Sequence, residues 1–349
     1  MPALFDLYRQ VMAFPPSDSY EQYWMWRYTL NPFDDGTRPA FWVVRSARKI
    51  IGGMAQMPVV ANVEGTEVEA RWAGDLMVDP AFRGQGIGKL IFDNYREANR
   101  LSISMGYAPD SVTSRIARSV GFKWFPPFTF LFKFYSVRLL AERLSWFKPA
   151  VHALSALSRP VFRLARRRFD HAPEDVVLME MDCFGSTFDS LWRRVASEFP
   201  VSVRRTYSSM NWRYFDNPFF SYQALGAWRD AELVGCLVLK VVHGEALTYG
   251  TIPELVAARE DRVVQTALLG WALEVFERER VDVVKALGSP PYLSSLLKSA
   301  GFLPLGKGCD FVISKAPDLP SVLLDCNAWY LTKGDCDLDI VPDFLRVAV

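Results

Sequence analysis

The sequence predicts an α/β chain of the α+β kind, with two similar halves. Each half reads as a mixed, mostly antiparallel sheet flanked by helices. Three observations carry this. A meander of extended runs feeds a glycine-rich turn and then an amphipathic helix, in Leu76 to Arg100, LMVDPAFRGQGIGKLIFDNYREANR. Two marks of the first half recur in order in the second. The chain has 349 residues, 50% of them hydrophobic and 14% aromatic, enough for two cores of ordinary domain size.

Taken in order, residues 1–30 read as helical, with Ser17 or Asp18 as a cap for the segment holding Tyr20, Tyr23, Trp24 and Trp26. Asn31-Pro32 ends it. Strands are expected over Ala40 to Arg45, Lys49 to Val63 and Glu67 to Val78, with Glu64-Gly65 turning between the last two. Asp79-Pro80 breaks the third strand, because proline fixes its own φ and restricts its predecessor. Arg83-Gly84-Gln85-Gly86-Ile87-Gly88 forms the turn, and Ile87, Leu90, Ile91 and Ala98 then follow at helical spacing. A short strand over Leu101 to Met105, a helix over Ser111 to Val120 closed by Gly121-Phe122, and a final strand over Phe128 to Tyr135 complete the half.

The repeat pairs Trp26-Arg27-Tyr28-Thr29-Leu30-Asn31-Pro32-Phe33 with Trp212-Arg213-Tyr214-Phe215-Asp216-Asn217-Pro218-Phe219. It also pairs Ala117-Arg118-Ser119-Val120-Gly121-Phe122 with Leu297-Lys298-Ser299-Ala300-Gly301-Phe302. In the second half, strands are expected at Ala224 to Trp228, Leu233 to Val242 and Val281 to Ala286, and helices at Arg262 to Arg280 and Tyr292 to Ser299. The domains follow as 1–136, a basic helical linker over 137–172, and 173–349. The linker holds Arg138, Arg143, Arg159, Arg163, Arg166, Arg167 and Arg168 among leucines and aromatics. It reads as a connector with a solvated basic face, or as a surface for anionic lipid headgroups or an acidic substrate.

A net charge of +1 gives no global nucleic-acid footprint. Cys183, Cys236, Cys309, Cys326 and Cys336 show no CxxC pair, which reads as reduced thiols in a cytoplasmic protein. With only His152, His171 and His243, no metal site is expected. The N-terminus lacks a signal-peptide layout, and no apolar run reaches the roughly 18 residues a membrane span needs.

The glycine turn has a chemical reading. Glycines let the backbone approach a ligand closely, and the N–H groups and dipole at a helix start attract phosphate. The stretch Val78-Asp79-Pro80-Ala81-Phe82-Arg83-Gly84-Gln85-Gly86-Ile87-Gly88, between strand and helix and followed by Gly121-Phe122, resembles the GNAT acyltransferase superfamily. That resemblance implies a tandem double-GNAT chain and acetyl- or acyl-CoA as co-substrate. The coenzyme would lie between the Glu67–Val78 and Leu101–Met105 strands, with its pyrophosphate on the backbone of Gln85 to Gly88. Arg83 and Gly84 belong to the same motif, and the backbone of Met77 and Val78 would pair with the pantetheine arm.

The acceptor implied is an amine of a small molecule or amino sugar, as in polysaccharide or cell-envelope assembly. Fem-like and mycothiol-synthase-like enzymes, which also pair two such domains, leave other acceptors open. Asp75 is the first candidate base and Glu69 the second. The tyrosine that many members use as thiolate acid falls here on Ala117, which leaves Tyr107 as a substitute. The missing tyrosine and the altered second copy also admit a non-catalytic coenzyme-binding or scaffold protein. In that copy the loop position reads Pro253-Glu254-Leu255-Val256-Ala257-Ala258-Arg259-Glu260. It has no glycine and carries two acids, so coenzyme binding is expected to be lost there.

Overall fold

In the computed structural model the described residues are 2–12, 15–106, 111–136, 174–245, 247–287, 289–305, 308–335 and 338–339. The 137–172 connector, Tyr107, Cys336 and Asp337 fall outside them. Among the described residues eight strands form one sheet and seven the other. In the first half, helices α1 (Pro2–Val11) and α2 (Tyr20–Trp24) precede strands β1 (Phe41–Ser46), β2 (Lys49–Val63) and β3 (Thr66–Val78). Helix α3 (Ile87–Ala98), strand β4 (Leu101–Gly106), helix α4 (Val112–Ser119) and strands β5 (Lys123–Phe128) and β6 (Phe130–Phe134) follow. The opening helical region is thus two helices, with the diproline Pro15-Pro16 between them. The second begins after Ser19, not Ser17 or Asp18, and Ser19 makes no side-chain capping bond.

The second half runs β7 (Val177–Met181), α5 (Thr187–Ala196), β8 (Val201–Val203), α6 (Tyr207–Tyr214), β9 (Gln223–Arg229), β10 (Glu232–His243) and β11 (Thr248–Ala257). Then come α7 (Arg262–Arg278), β12 (Val283–Leu287), α8 (Pro291–Ser299), β13 (Leu303–Pro304), β14 (Cys309–Lys315) and β15 (Trp329–Tyr330).

The first sheet is ordered β15-β8-β2-β3-β4-β14-β5 with β1 on β2, and the second β13-β6-β12-β11-β10-β9-β7. The strand expected to close the first half, β6, therefore lies in the second sheet, antiparallel to β12, with Val283 opposite Phe134. Its counterpart β14 lies in the first sheet between β4 and β5, with Phe311 opposite Met105 and Phe125. The first half thus gives β6 to the second sheet, and the second half gives β14, together with β8 and β15 at the edge, to the first. The apolar runs explain why this is stable: Phe311 and Ile313 are buried in the first core, and Leu131 in the second.

The recurring tryptophans meet each other reciprocally. Trp26 Nε1 donates to Trp212 O at 3.0 Å and Trp212 Nε1 to Trp26 O at 2.8 Å. Their rings stack with centroids 5.4 Å apart. Burying each indole N–H against the other's carbonyl satisfies both polar groups. The asparagines end each motif the same way: Asn31 Oδ1 accepts from Phe33 N–H and Asn217 Oδ1 from Phe219 N–H, both at 2.9 Å. The repeat is thus an aromatic anchor with an Asx turn.

Candidate active site

The glycine turn is built by the chain on either side of it. Asp79 is fully buried at the end of β3, accepts from Ala81 N–H at 2.9 Å and pairs with Lys49 Nζ at 2.6 Å. The hydrogen bond from Lys49, then that from Ala81, holds its carboxyl below the usual range, so it stays ionised. Arg83 turns back to donate through Nε to Val78 O at 3.3 Å. Gly84 and Gly86 have φ of +79° and +80°, in the left-handed region that favours glycine, and a Cβ on either would point into open space. Gly86 is the N-cap of α3 and brings no side chain to the helix start. The N–H groups of the first turn are therefore left for an outside acceptor. Gly88 plays a different part: its Cα faces Ile116 of α4, 2.9 Å from an ideal Cβ.

Beside this turn the sheet forks. β3 and β4 run parallel and pair at Arg71–Ser102 and Trp72–Ile103, yet β3 continues to Val78. The tip of the fork is pinned by Tyr95 of α3, whose buried hydroxyl donates to Arg71 O and accepts from Ile103 N–H at 3.3 Å. Phe122 stacks on that ring with centroids 6.2 Å apart, which ties the Gly121-Phe122 motif to the fork. Helical spacing gave Tyr95 no special weight, and only the sheet shows what its hydroxyl bridges. Ala117 is fully buried on α4 in the same cluster, so the hydroxyl missing in sequence is missing in space at that position.

Asp75 lies where β3 leaves β4. The β2–β3 register slips between Gly53–Met77 and Ala55–Gly74, so Asp75 and Leu76 together oppose Met54 in a bulge. Asp75 has φ of +49°. Its buried carboxylate accepts from Tyr28 at 2.6 Å and from Tyr8 at 2.9 Å, both on Oδ2, with Arg27 Nη1 at 3.8 Å from Oδ1. Burial foremost pushes both phenols well above their ordinary range, so they remain donors. Glu69, the second candidate base, stands earlier on β3, before the first β3–β4 pair at Arg71–Ser102 and on the side of the paired segment away from the fork. Its half-exposed carboxylate pairs with Arg71 at 2.7 Å and Arg38 at 3.6 Å. The fold does not bring it to Asp75. Met77 is buried against α1, and Val78 lends its carbonyl to Arg83.

The same place in the second half is closed. β11 and β12 pair from Tyr249–Val283 to Ile252–Ala286 and then part. The start of α7 is capped by Asp261, which accepts from Val264 N–H at 3.1 Å and pairs with Arg229 at 3.0 Å. A carboxylate thus occupies the helix end that Gly86 leaves open. The parted strand is covered by the segment after β15. Tyr330 donates to Leu255 O at 2.8 Å. The buried guanidinium of Arg205 reaches Glu254 at 3.2 Å, Thr332 Oγ1 at 2.9 Å and Asp335 at 2.8 Å. Gly334 packs so closely on Tyr214 and Glu254 that a Cβ there would collide with both. Residues 329–335 thus form a plug for the second fork.

A family model described as an acetyltransferase (GNAT) domain matches residues 37–123, the stretch that contains fork and turn. The chain carries a GNAT domain. Outside that match the likeness is one of fold. A GCN5-related N-acetyltransferase from Anabaena variabilis superposes with a TM-score of 0.58 at 12% identity, over 89% of this chain and 69% of that one. Saccharomyces cerevisiae N-myristoyltransferase with bound myristoyl-CoA gives 0.56 at 12%, over 90% and 79%. A tandem GNAT protein from the clavulanic acid biosynthesis pathway gives 0.52 at 18%, over 92% and 95%. No curated protein sequence matches the chain. The tandem arrangement of GNAT-like halves read from the repeat is the one the fold shows.

Among the described residues no helix is long and apolar enough to cross a membrane, and no group of three or more His, Cys, Asp or Glu could hold a metal.

Proposed function

We propose that the protein is an acyl-CoA-dependent N-acyltransferase with one coenzyme site, in the first half. The observation that carries this is the contrast between equivalent places. One half presents an uncapped, glycine-led helix start beside a parted strand, and the other caps that helix with Asp261 and fills the fork with residues 329–335. The backbone of Gln85 to Gly88 would take the pyrophosphate, whose charge suits the helix end. The free edge of β3 near Met77 would take the pantetheine arm, and the thioester would reach the fork at Asp75.

The reaction is attack of a neutral amine on the thioester carbonyl. A C–N bond forms, the C–S bond breaks, the thiolate takes up a proton, and the amine proton leaves to water. Position and a donor for the developing oxyanion supply the rate. The acyl group proposed is acetyl, and the acceptor an amine on a small molecule, amino sugars of cell-envelope assembly included. The thiols Cys183, Cys236, Cys309 and Cys326 are unbridged, in keeping with work in the reducing cytoplasm. The basic connector 137–172 would then be the part that meets an anionic membrane face.

Calorimetric titration with acetyl-CoA tests the reading. One site per chain is expected, and no heat from the wild type would sink it. Buried Ala117 favours a second reading, a coenzyme-binding protein without turnover. Release of free thiol from acetyl-CoA in the presence of an amine panel separates the two.

A further inference from the structure

Two irregularities of the first half have no match in the second. Trp26-Arg27-Tyr28 lies in a π-helical turn, Met25–Thr29, while Trp212-Arg213-Tyr214 ends the regular helix α6. Asp75 is the one described non-glycine residue with positive φ inside a strand or helix, since the others stand in turns or just past a helix end. A left-handed residue costs about 1–2 kcal/mol and a π-turn gives up regular bonding, and both gather at sites where position matters. Here they meet: the π-turn carries Arg27 and Tyr28 onto the carboxylate of the left-handed residue.

The second copy shows what the arrangement is for. The β10–β11 register slips at the corresponding point, between Val238–Glu254 and Lys240–Thr251, so Ile252 and Pro253 form its bulge. Ile252 replaces Asp75 and Pro253 replaces Leu76. Proline has no N–H to donate. Tyr214 still donates to a strand carboxylate, Glu254, at 3.0 Å, but Arg213 goes instead to Asp339. The half with the closed fork has thus lost both the charged bulge residue and the peptide N–H after it.

We propose that Asp75 is a positioning residue, clamped by Tyr8, Tyr28 and Arg27, that fixes the β3 bulge so that Leu76 N–H faces the thioester oxygen. This rests on the acyl-transfer reading above. Asp75 is suited to it because its lone pairs are already engaged by two phenols that stay protonated, and its side chain is buried away from an incoming amine. Gly74 completes the clamp: an ideal Cβ would lie 3.1 Å from both Arg27 Nη2 and Tyr28 Oη.

The experiment follows free thiol released from acetyl-CoA, with water and with glucosamine as acceptors, across pH. Acetyl-CoA affinity is followed by calorimetry. Tyr28→Phe and Asp75→Ala are expected to lower kcat about 100-fold, the cost of misplacing a reacting group by about an ångström. Acetyl-CoA affinity and the shape of the pH profile should stay as in the wild type. Asp75→Asn should restore most of the rate, because asparagine tolerates positive φ and its amide oxygen still accepts from both phenols. An Asp75→Asn variant as slow as Asp75→Ala, with the acidic limb of the pH profile gone, would make Asp75 a base and overturn the proposal. Wild-type kcat in Tyr28→Phe would overturn it as well. A wild type that binds acetyl-CoA yet releases no thiol with either acceptor would overturn the transfer reading, and this proposal with it.

Discussion

At the scale of single residues, the two glycines of positive φ decide whether the helix end stays open. Gly86→Glu adds a negative side chain where phosphate would sit and strains the turn. It is expected to abolish measurable acetyl-CoA binding while lowering the melting temperature by only a few degrees, the cost of about 1–2 kcal/mol of backbone strain, as titration and circular dichroism would show. Glu254 makes a pH prediction. Burial foremost raises its carboxyl above the ordinary range, and the pull of Arg205 does not cancel this because that guanidinium also serves Asp335. A native pKa above the unfolded one means the native state holds the extra proton between the two values. Stability is then full below the unfolded value, about 4.3, and falls as pH rises through the native one. Wild-type melting temperature should decline over that window, and Glu254→Gln should flatten the decline. A parallel decline in the variant would contradict the assignment. The candidate residues were unevenly legible. Arg83, Gly84, Gly86 and Asp75 stood out by type and place, whereas Tyr8 and Tyr28 carried no site signal because the carboxylate they bond lies far away in sequence, and Tyr95 carried none because its hydroxyl bridges two backbones.

At the scale of elements, local patterns placed the meander, the turn and α3 because each is defined by neighbours a few residues away. The strands β2 and β3 were expected at Lys49 to Val63 and Glu67 to Val78 and occur at Lys49–Val63 and Thr66–Val78. Sheet partners were not legible. The short apolar run marks β6 as a buried strand, yet nothing in Phe130 to Phe134 says which sheet buries it. The role of the C-terminal stretch was hidden for the same reason, since its contacts are with β8, β11 and Arg205. Gly334→Ala tests the plug. Its methyl group would press on Tyr214 and Glu254, and overpacking of this kind costs about 1–3 kcal/mol. Denaturant unfolding should register that loss while acetyl-CoA affinity stays unchanged, because the plug lies in the other half.

At the scale of the whole molecule, the exchanged strands and the paired tryptophans make the halves one folding unit. Each core contains a strand from the other half, so neither sheet is complete alone. A single calorimetric transition is expected, with van't Hoff and calorimetric enthalpies in agreement. Two separable transitions would contradict it. Trp26→Ala should cost about 3–5 kcal/mol, the range for losing a buried large aromatic, and lower that one transition as a whole. What the sequence determined by itself was whatever repeats or depends on near neighbours. The duplication, the glycine turn and the absence of glycine between Thr251 and Leu269 are written in residue types at fixed spacings, and the family resemblance alone marks Ala117; of the stretch read as the second loop, however, Pro253 to Ala257 belongs to β11. Only the tertiary structure decided that β6 and β14 change places, that residues 329–335 close the second fork, and that Tyr8, Tyr28 and Arg27 converge on Asp75. The physical reason is the same in each case. Strand pairing and burial are satisfied by any partner of suitable shape, and which partner arrives depends on the path of the whole chain.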